Sequence, residues 1–279
     1  MTGERSDGSG SDQTPSDDVD PDLRSAMATR LRDADGLLFC TDFDGTLAGI
    51  ETDPDAPAIG TANREALETL RDHPGVHVAV ISGRELADLR ERVGIEGIDY
   101  AGNHGLELYQ GEEASVHPEA AERERELERI VDMVEDDLAG TDCFVENKTV
   151  SATIHYRSDP EREAEVHDAV ESAVEQVAPD GFEVSTGKEI IELTPAVAWD
   201  KGKVVSQLME DYPDSLAVYI GDDTTDEAAF RALSDEDISV HVGDDETAAA
   251  YRLADPEGVT AFIEWVVEEG LDELGGHAD

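Results

Sequence analysis

Apolar residues recur at helical spacing in DLRSAMATRLRDA, which predicts an amphipathic helix near residues 22–34. The segment that follows, GLLFCTDFDG, is apolar up to a turn and predicts a buried strand with two aspartates at its carboxyl end. Residues 61–73 return to a helical period, and VHVAVISGR reads as a second buried strand that breaks at Ser82-Gly83. A helix over ELADLRERVG then precedes a third strand in IDYAGNHG. This alternation predicts a doubly wound, Rossmann-like parallel α/β sheet with right-handed crossovers.

The pattern then changes. Residues 117–138 read as one long charged helix, CFVENKTVSATIHYR alternates as an antiparallel hairpin, and a second charged helix covers 160–178 before short strands in 182–193. We read 110–189 as an inserted α+β cap, and 23–109 with 190–279 as the core that surrounds it. The α/β rhythm resumes with a helix at 201–211, the strand SLAVYIGDD, the helix DEAAFRAL, the strand ISVHVG and a closing helix.

Composition adds a formal net charge of −49, from 69 acidic and 20 basic residues. Such a polyanion repels nucleic acid and anionic membranes, and it suits a high-salt environment in which charge repulsion is screened. Residues 1–22 are polar and acidic, without the apolar segment of a signal peptide, and are expected to be a disordered tail. With Cys40 and Cys143 far apart in apolar runs, reduced thiols and a cytoplasmic location are expected. Only four of the 20 basic residues are lysines, Lys148, Lys188, Lys201 and Lys203, so each is a candidate for a place that needs an ammonium group.

Four segments carry candidate chemistry. In Asp42-Phe43-Asp44-Gly45-Thr46, two carboxylates one residue apart can divide nucleophilic attack and proton transfer, or be ordinary surface acids. Ile81-Ser82-Gly83-Arg84 offers a hydroxyl and free N–H groups to an anion, or a helix cap by Ser82. Asp200-Lys201-Gly202 puts a cation at a helix start, where the dipole disfavours it unless an anion is bound. Gly221-Asp222-Asp223-Thr224-Thr225-Asp226-Glu227 gathers oxygen ligands suited to Mg²⁺, or is an acid-rich helix start.

Taken in this order, the four segments resemble the motifs of the haloacid dehalogenase superfamily of phosphotransferases. Gly102-Asn103-His104-Gly105, Glu146-Asn147-Lys148 with Ser151, His155-Tyr156-Arg157 and Ile191-Glu192-Leu193 extend the resemblance to trehalose-6-phosphate phosphatases. Ile154 stands where that family often has an aromatic residue, and Thr194 where it often has a base. The resemblance implies Asp42 as nucleophile and Asp44 as general acid and base. It implies phosphate binding by Ser82, Gly83 and Lys201, and Mg²⁺ held by Asp42, the Asp44 carbonyl and Asp222. Asp223 and Asp226 would act through water or by orienting Lys201. Substrate binding would fall to Arg84, Asn103, His104, Glu146, Lys148, Arg157 and Glu192, with Glu146, Lys148, Arg157 and Glu192 recognising the sugar; His104 and His155 equally suit structural roles. The partner it implies is a sugar phosphate, with a functional pairing to a trehalose-phosphate synthase. Competing expectations are a phosphatase for sucrose phosphate or mannosyl-phosphoglycerate, and a non-catalytic sugar-phosphate sensor.

Overall fold

The computed structural model describes residues 19–49, 58–187 and 189–276; most of the expected acidic tail and Lys188 lie outside them. Among the described residues, two sheets form. Strands β1 (Gly36–Thr41), β2 (Val76–Ile81), β3 (Asp99–Gly102), β4 (Glu107–Gln110) and β5 (Glu113–Val116) occupy one half of the larger sheet. The smaller sheet holds β6 (Phe144–Asn147), β7 (Ala152–His155), β8 (Phe182–Thr186) and β9 (Ile190–Pro195). The chain then returns to the larger sheet with β10 (Ser215–Gly221), β11 (Ile238–Val242) and β12 (Tyr251–Leu253). The helices, in chain order, are α1 (Pro21–Asp33), α2 (Thr61–Asp72), α3 (Leu86–Val93), α4 (Pro118–Ala121), α5 (Glu124–Asp137), α6 (Glu163–Val177), α7 (Lys201–Asp211), α8 (Glu227–Ala232) and α9 (Pro256–Trp265).

The larger sheet has the order β12-β11-β10-β1-β2-β3-β4-β5, parallel from β12 to β3 and antiparallel beyond. All six residues of β1 are buried, as a central strand covered on both faces requires. Leu37 and Phe39 pack with α1, α2 and α9, while Leu38 and Cys40 pack with α7 and α8. Because β2 leaves β1 on one side and β10 arrives on the other, the carboxyl end of β1 is the topological switch point, where open α/β sheets bind ligands.

In the cap, Leu127, Ile130, Val131 and Val134 form one stripe of α5 and Val166, Val170, Ala173 and Val174 one stripe of α6. Both stripes pack on Ala152, Ile154, Ile191 and Leu193 of the small antiparallel sheet, leaving its opposite face to the core domain.

Several boundaries differ from the sequence reading. Ile190–Pro195, expected with the returning core, pairs in the small sheet, and Glu113–Val116, expected with the cap, extends the large one. The long helix expected over 117–138 is interrupted near Arg123. Asp20 caps α1 at the Asp22 N–H (2.8 Å) and Val19 is buried, so the end of the expected tail belongs to the folded core. No helix among the described residues is long and apolar enough to cross a membrane.

Candidate functional site

Asp42, one residue past β1, is 5% exposed, and its Oδ1 lies 3.1 Å from Lys201 Nζ. Lys201 opens α7 and is itself 2% exposed, with a second carboxylate partner in Asp226 Oδ1 at 2.8 Å. Burial alone would pull the ammonium pKa down; Asp42 and Asp226 outweigh it and keep Lys201 charged. Burial drives the Asp42 carboxyl well upward, against the pull of Lys201 and with further repulsion from Asp226 and Asp222. Asp222 is likewise raised to about 6, first by burial and then by the charge of Asp226.

Carboxylate oxygens of Asp42, Asp222 and Asp226 lie within 4.8 Å of one another, an all-oxygen set suited to a hard divalent cation. The three are not equivalent. Asp226 Oδ1 accepts from Lys201 and from the Tyr219 hydroxyl (2.6 Å), while Oδ2 accepts from the N–H groups of Asp222 (3.0 Å) and Asp223 (2.9 Å). Four donors saturate it, so Asp226 serves as the orienter of Lys201 and of the loop after β10. Asp42 and Asp222 keep oxygens for a cation, and the residues fit the Mg²⁺ that the motifs imply. Gly45 is what lets Asp222 approach: its φ is +75°, and a Cβ there would sit 2.0 Å from Asp222 Oδ2.

Asp44 points away from this cluster. Arg84 Nε and Nη2 each donate to one of its oxygens at 2.7 Å, and Arg84 Nη1 donates to Asp88 at 3.0 Å. Arg84 is thus paired with Asp44 and does not line the cleft under the cap described below. Ser82 is buried, and its Oγ accepts from the Arg84 N–H (3.2 Å). The helix-cap reading of Ser82 is corrected by the position of Glu85 as the residue preceding α3. Gly83 passes so close to His104 that a Cβ would lie 2.6 Å from the ring.

Asn103 and His104 both have positive φ (48° and 56°), which turns the chain sharply after β3. Asn103 is committed to structure: its Nδ2 donates to Glu107 Oε2 (2.5 Å) and its Oδ1 accepts from Ser151 Oγ in the cap (2.6 Å). Glu107 Oε2 also accepts from the Leu86 N–H (3.0 Å), so one buried carboxylate joins the start of α3, the turn and, through Asn103, the cap. The sequence reading passed over Glu107, which is the buried residue of a strand whose other three positions are half-buried. His104 carries a burial-depressed pKa of about 4, lowered further by Lys201 and Lys148.

His104 supports a pH prediction. Protonation is easier in the unfolded chain, near 6.5, so its contribution to stability is complete above that pH and drains away as pH falls toward 4. The full difference is about 3 kcal/mol. In His104→Asn, which tolerates the left-handed backbone, the gap between melting temperatures at pH 7 and pH 4.5 is expected to shrink; an unchanged gap would remove His104 from this role.

In the cap, cross-strand register puts Glu146, Thr153, Glu192 and Ser185 in one row on the face turned from α5 and α6. Lys148, in the β6–β7 turn, is near enough to His104 to depress it, and Glu146 Oε2 accepts a hydrogen bond from His155 Nε2 at 2.9 Å. Arg157 lies at the far end of the sheet, where its Nε meets Glu189 Oε2 at 3.1 Å. A cleft of about 300 Å³ is walled by Glu183 and Thr194 of the cap and by Asn103, His104, Lys201, Thr224 and Arg231 of the core. His104 and Lys201 thus line this cleft, Lys201 joins it to the Asp42–Asp222–Asp226 cluster, and Lys148 lies near His104, whereas Arg157 pairs with Glu189 away from the cleft.

A buried carboxylate–lysine pair at the switch point of a parallel sheet, roofed by an inserted antiparallel cap, is the setting in which the comparisons with known proteins fall. The family model described as trehalose-phosphatase matches residues 40–257. The trehalose-phosphate phosphatase of Mycobacterium marinum is 38% identical over 234 residues, covering 79% of this chain and 59% of its own; the chain thus spans about three fifths of that relative's length. A crystal structure of Aspergillus fumigatus trehalose-6-phosphate phosphatase superposes with a TM-score of 0.62 at 30% identity, over 88% of this chain and 97% of that one. A haloacid dehalogenase-like hydrolase from Bacteroides thetaiotaomicron shares the fold (TM-score 0.59, 17% identity, 83% of this chain and 99% of that one). With a family match over most of its length and its four motifs meeting at one edge of the sheet, the chain belongs to the trehalose-phosphatase family.

Proposed function

We propose that this chain hydrolyses trehalose 6-phosphate to trehalose and inorganic phosphate, with Mg²⁺ as cofactor and an aspartyl-phosphate intermediate. The observation that carries the reading is Asp42: a buried carboxylate 3.1 Å from a buried ammonium, under a cap whose facing surface is polar. A carboxylate stripped of water is a stronger nucleophile, and Lys201 offsets charge on the phosphoryl oxygens.

In the first step an Asp42 oxygen bonds to phosphorus as the bond to the sugar oxygen breaks, and that oxygen receives a proton from Asp44. In the second step Asp44 takes a proton from water, the water oxygen bonds to phosphorus, and the bond to Asp42 breaks to regenerate the carboxylate. Asp44 enters this cycle only when an oxygen leaves Arg84, which here holds both. Asp42, Asp222 and the Asp44 carbonyl are the groups that would hold Mg²⁺, whose chemistry there is neutralisation of phosphoryl charge. Ser82 and the Gly83 backbone border the phosphoryl group, and the cap excludes bulk water. The presence of Asp42, Lys201 and Asp222 together supports catalysis over the sensor reading, since binding alone needs no buried nucleophile.

The direct test is phosphate release from trehalose 6-phosphate, sucrose 6-phosphate, mannosyl-phosphoglycerate and glucose 6-phosphate, in high-salt buffer with and without Mg²⁺. We expect preference for trehalose 6-phosphate and dependence on the metal. Equal rates on every ester would overturn the specificity, and full activity in chelator would overturn the cofactor.

A further inference from the structure

Phe144 is the one large hydrophobic side chain among the described residues that lies mostly in solvent, at 56% exposure. It sits on the edge strand β6, directly opposite His155 of β7 and beyond it Ile190 of β9. The phenyl and imidazole rings stack at 4.4 Å with 5° between planes, so one ring face is covered and the other is presented outward. His155 is also tied to Glu146 at 2.9 Å, which fixes the stack to the neighbouring carboxylate.

Position gives this platform a meaning. Phe144 and Glu146 are two residues apart and share the face turned from the cap helices, about 7 Å apart along the strand. The order along that face, starting from the core, is the Lys148 turn, the row Glu146–Thr153–Glu192, and then the row Phe144–His155–Ile190. The reacting phosphoryl group belongs at the core end, beside Asp42 and Lys201. A sugar ring attached to it would meet the carboxylate row, and a second ring would meet the aromatic row. A pyranose has just these two characters: a rim of hydroxyls that suits Glu146 and Glu192, and a C–H face that suits an open aromatic plate. A solvated phenyl ring held in one orientation by stacking loses little further entropy when it is covered.

We propose that the outward face of Phe144, held by His155, is the subsite for the distal pyranose ring, and that it discriminates a disaccharide phosphate from a monosaccharide phosphate. The proposal rests on the phosphatase reading above and adds to it a residue that sets substrate length. Because the ring is exposed, Phe144→Ala leaves the fold intact, which a thermal melt within 2 °C of the parent (roughly the shift of a surface substitution) would show.

The test compares Phe144→Ala and Phe144→Trp with the parent on trehalose 6-phosphate and on glucose 6-phosphate. For Phe144→Ala we expect KM for trehalose 6-phosphate to rise about tenfold with kcat nearly unchanged, since the lost contact is uniform binding. KM for glucose 6-phosphate should stay within about twofold, and Phe144→Trp should restore the affinity for the disaccharide ester. An unchanged KM for trehalose 6-phosphate, or an equal rise for both esters, would overturn the subsite. If the parent itself fails to hydrolyse either ester, the phosphatase reading falls first, and free trehalose quenching the fluorescence of Phe144→Trp then decides the subsite separately: saturable quenching supports it and none removes it.

Discussion

Asp42→Asn is expected to lower phosphate release by at least about 10³-fold while leaving the fold at least as stable as before. The two halves of this result have one cause. Asp42 is held where its charge is disfavoured: burial, Asp226 and Asp222 all raise its pKa, and Lys201 only partly opposes them. A carboxyl whose folded pKa exceeds its unfolded value contributes fully below the unfolded pKa and costs stability as pH rises through the folded one. At neutral pH without a cation, the ionised side chain is therefore a strained component of the core, and the amide relieves it. Asparagine keeps the shape and still accepts from Lys201, yet it is not a competent nucleophile toward phosphorus. Melting curves in chelator, paired with phosphate release in Mg²⁺, check both halves. Turnover within tenfold of the parent would remove Asp42 as nucleophile, and a clear fall in melting temperature would show that its charge supports the fold.

The parts of the molecule that the sequence made legible are those where burial leaves no choice of residue. Strands β1, β2 and β10 are covered on both faces, so they read as continuous apolar runs, and their carboxyl ends locate Asp42, Ser82 and Asp222. The β4–β5 hairpin was not legible, because its strands lie at the sheet edge and carry Glu, Gln and Ser on half-exposed faces. Its turn uses Gly111 and Glu112, both at positive φ, and only the glycine signals that conformation. The break at Arg123 in the expected long helix has no glycine or proline at the break to announce it.

Within the site, acid-rich composition was the obstacle. The segment after β10 offers Asp222, Asp223, Asp226 and Glu227, and spacing alone does not say which side chain turns inward. Packing decides it: Asp226 reaches back beneath the loop, whereas Asp223 remains outside and accepts from the Thr224 N–H. Arg84 illustrates the converse. The resemblance implied a substrate contact for it, and sequence position gave no sign of the bidentate pair it forms here with the chain's own Asp44.

Asp226→Asn is expected to be the most destabilising single change in the site, by about 3–5 kcal/mol, and to abolish turnover as well. Asp226 is fully buried and its two oxygens accept four hydrogen bonds, from Lys201, Tyr219, Asp222 N and Asp223 N. An asparagine can satisfy one pair through its oxygen, but its amide then points two hydrogens at donors, which is worse than a lost contact. Lys201, 2% exposed, is left with Asp42 as its remaining carboxylate partner among those described. Breaking one side of this buried cluster leaves the ammonium offset by Asp42 alone, without the carboxylate that fixes its position. For a domain of this size the loss corresponds to a melting temperature about 10 °C lower. Asp222→Asn supplies the contrast: Asp222 is only partly buried, its side chain is raised to about 6, and its hydroxyl partner Thr46 is 3.4 Å away. That variant should lose activity and Mg²⁺-induced stabilisation with no loss of stability in chelator. Equal melting temperatures for the two variants would show that Asp226 is a ligand like Asp222 rather than the anchor of Lys201.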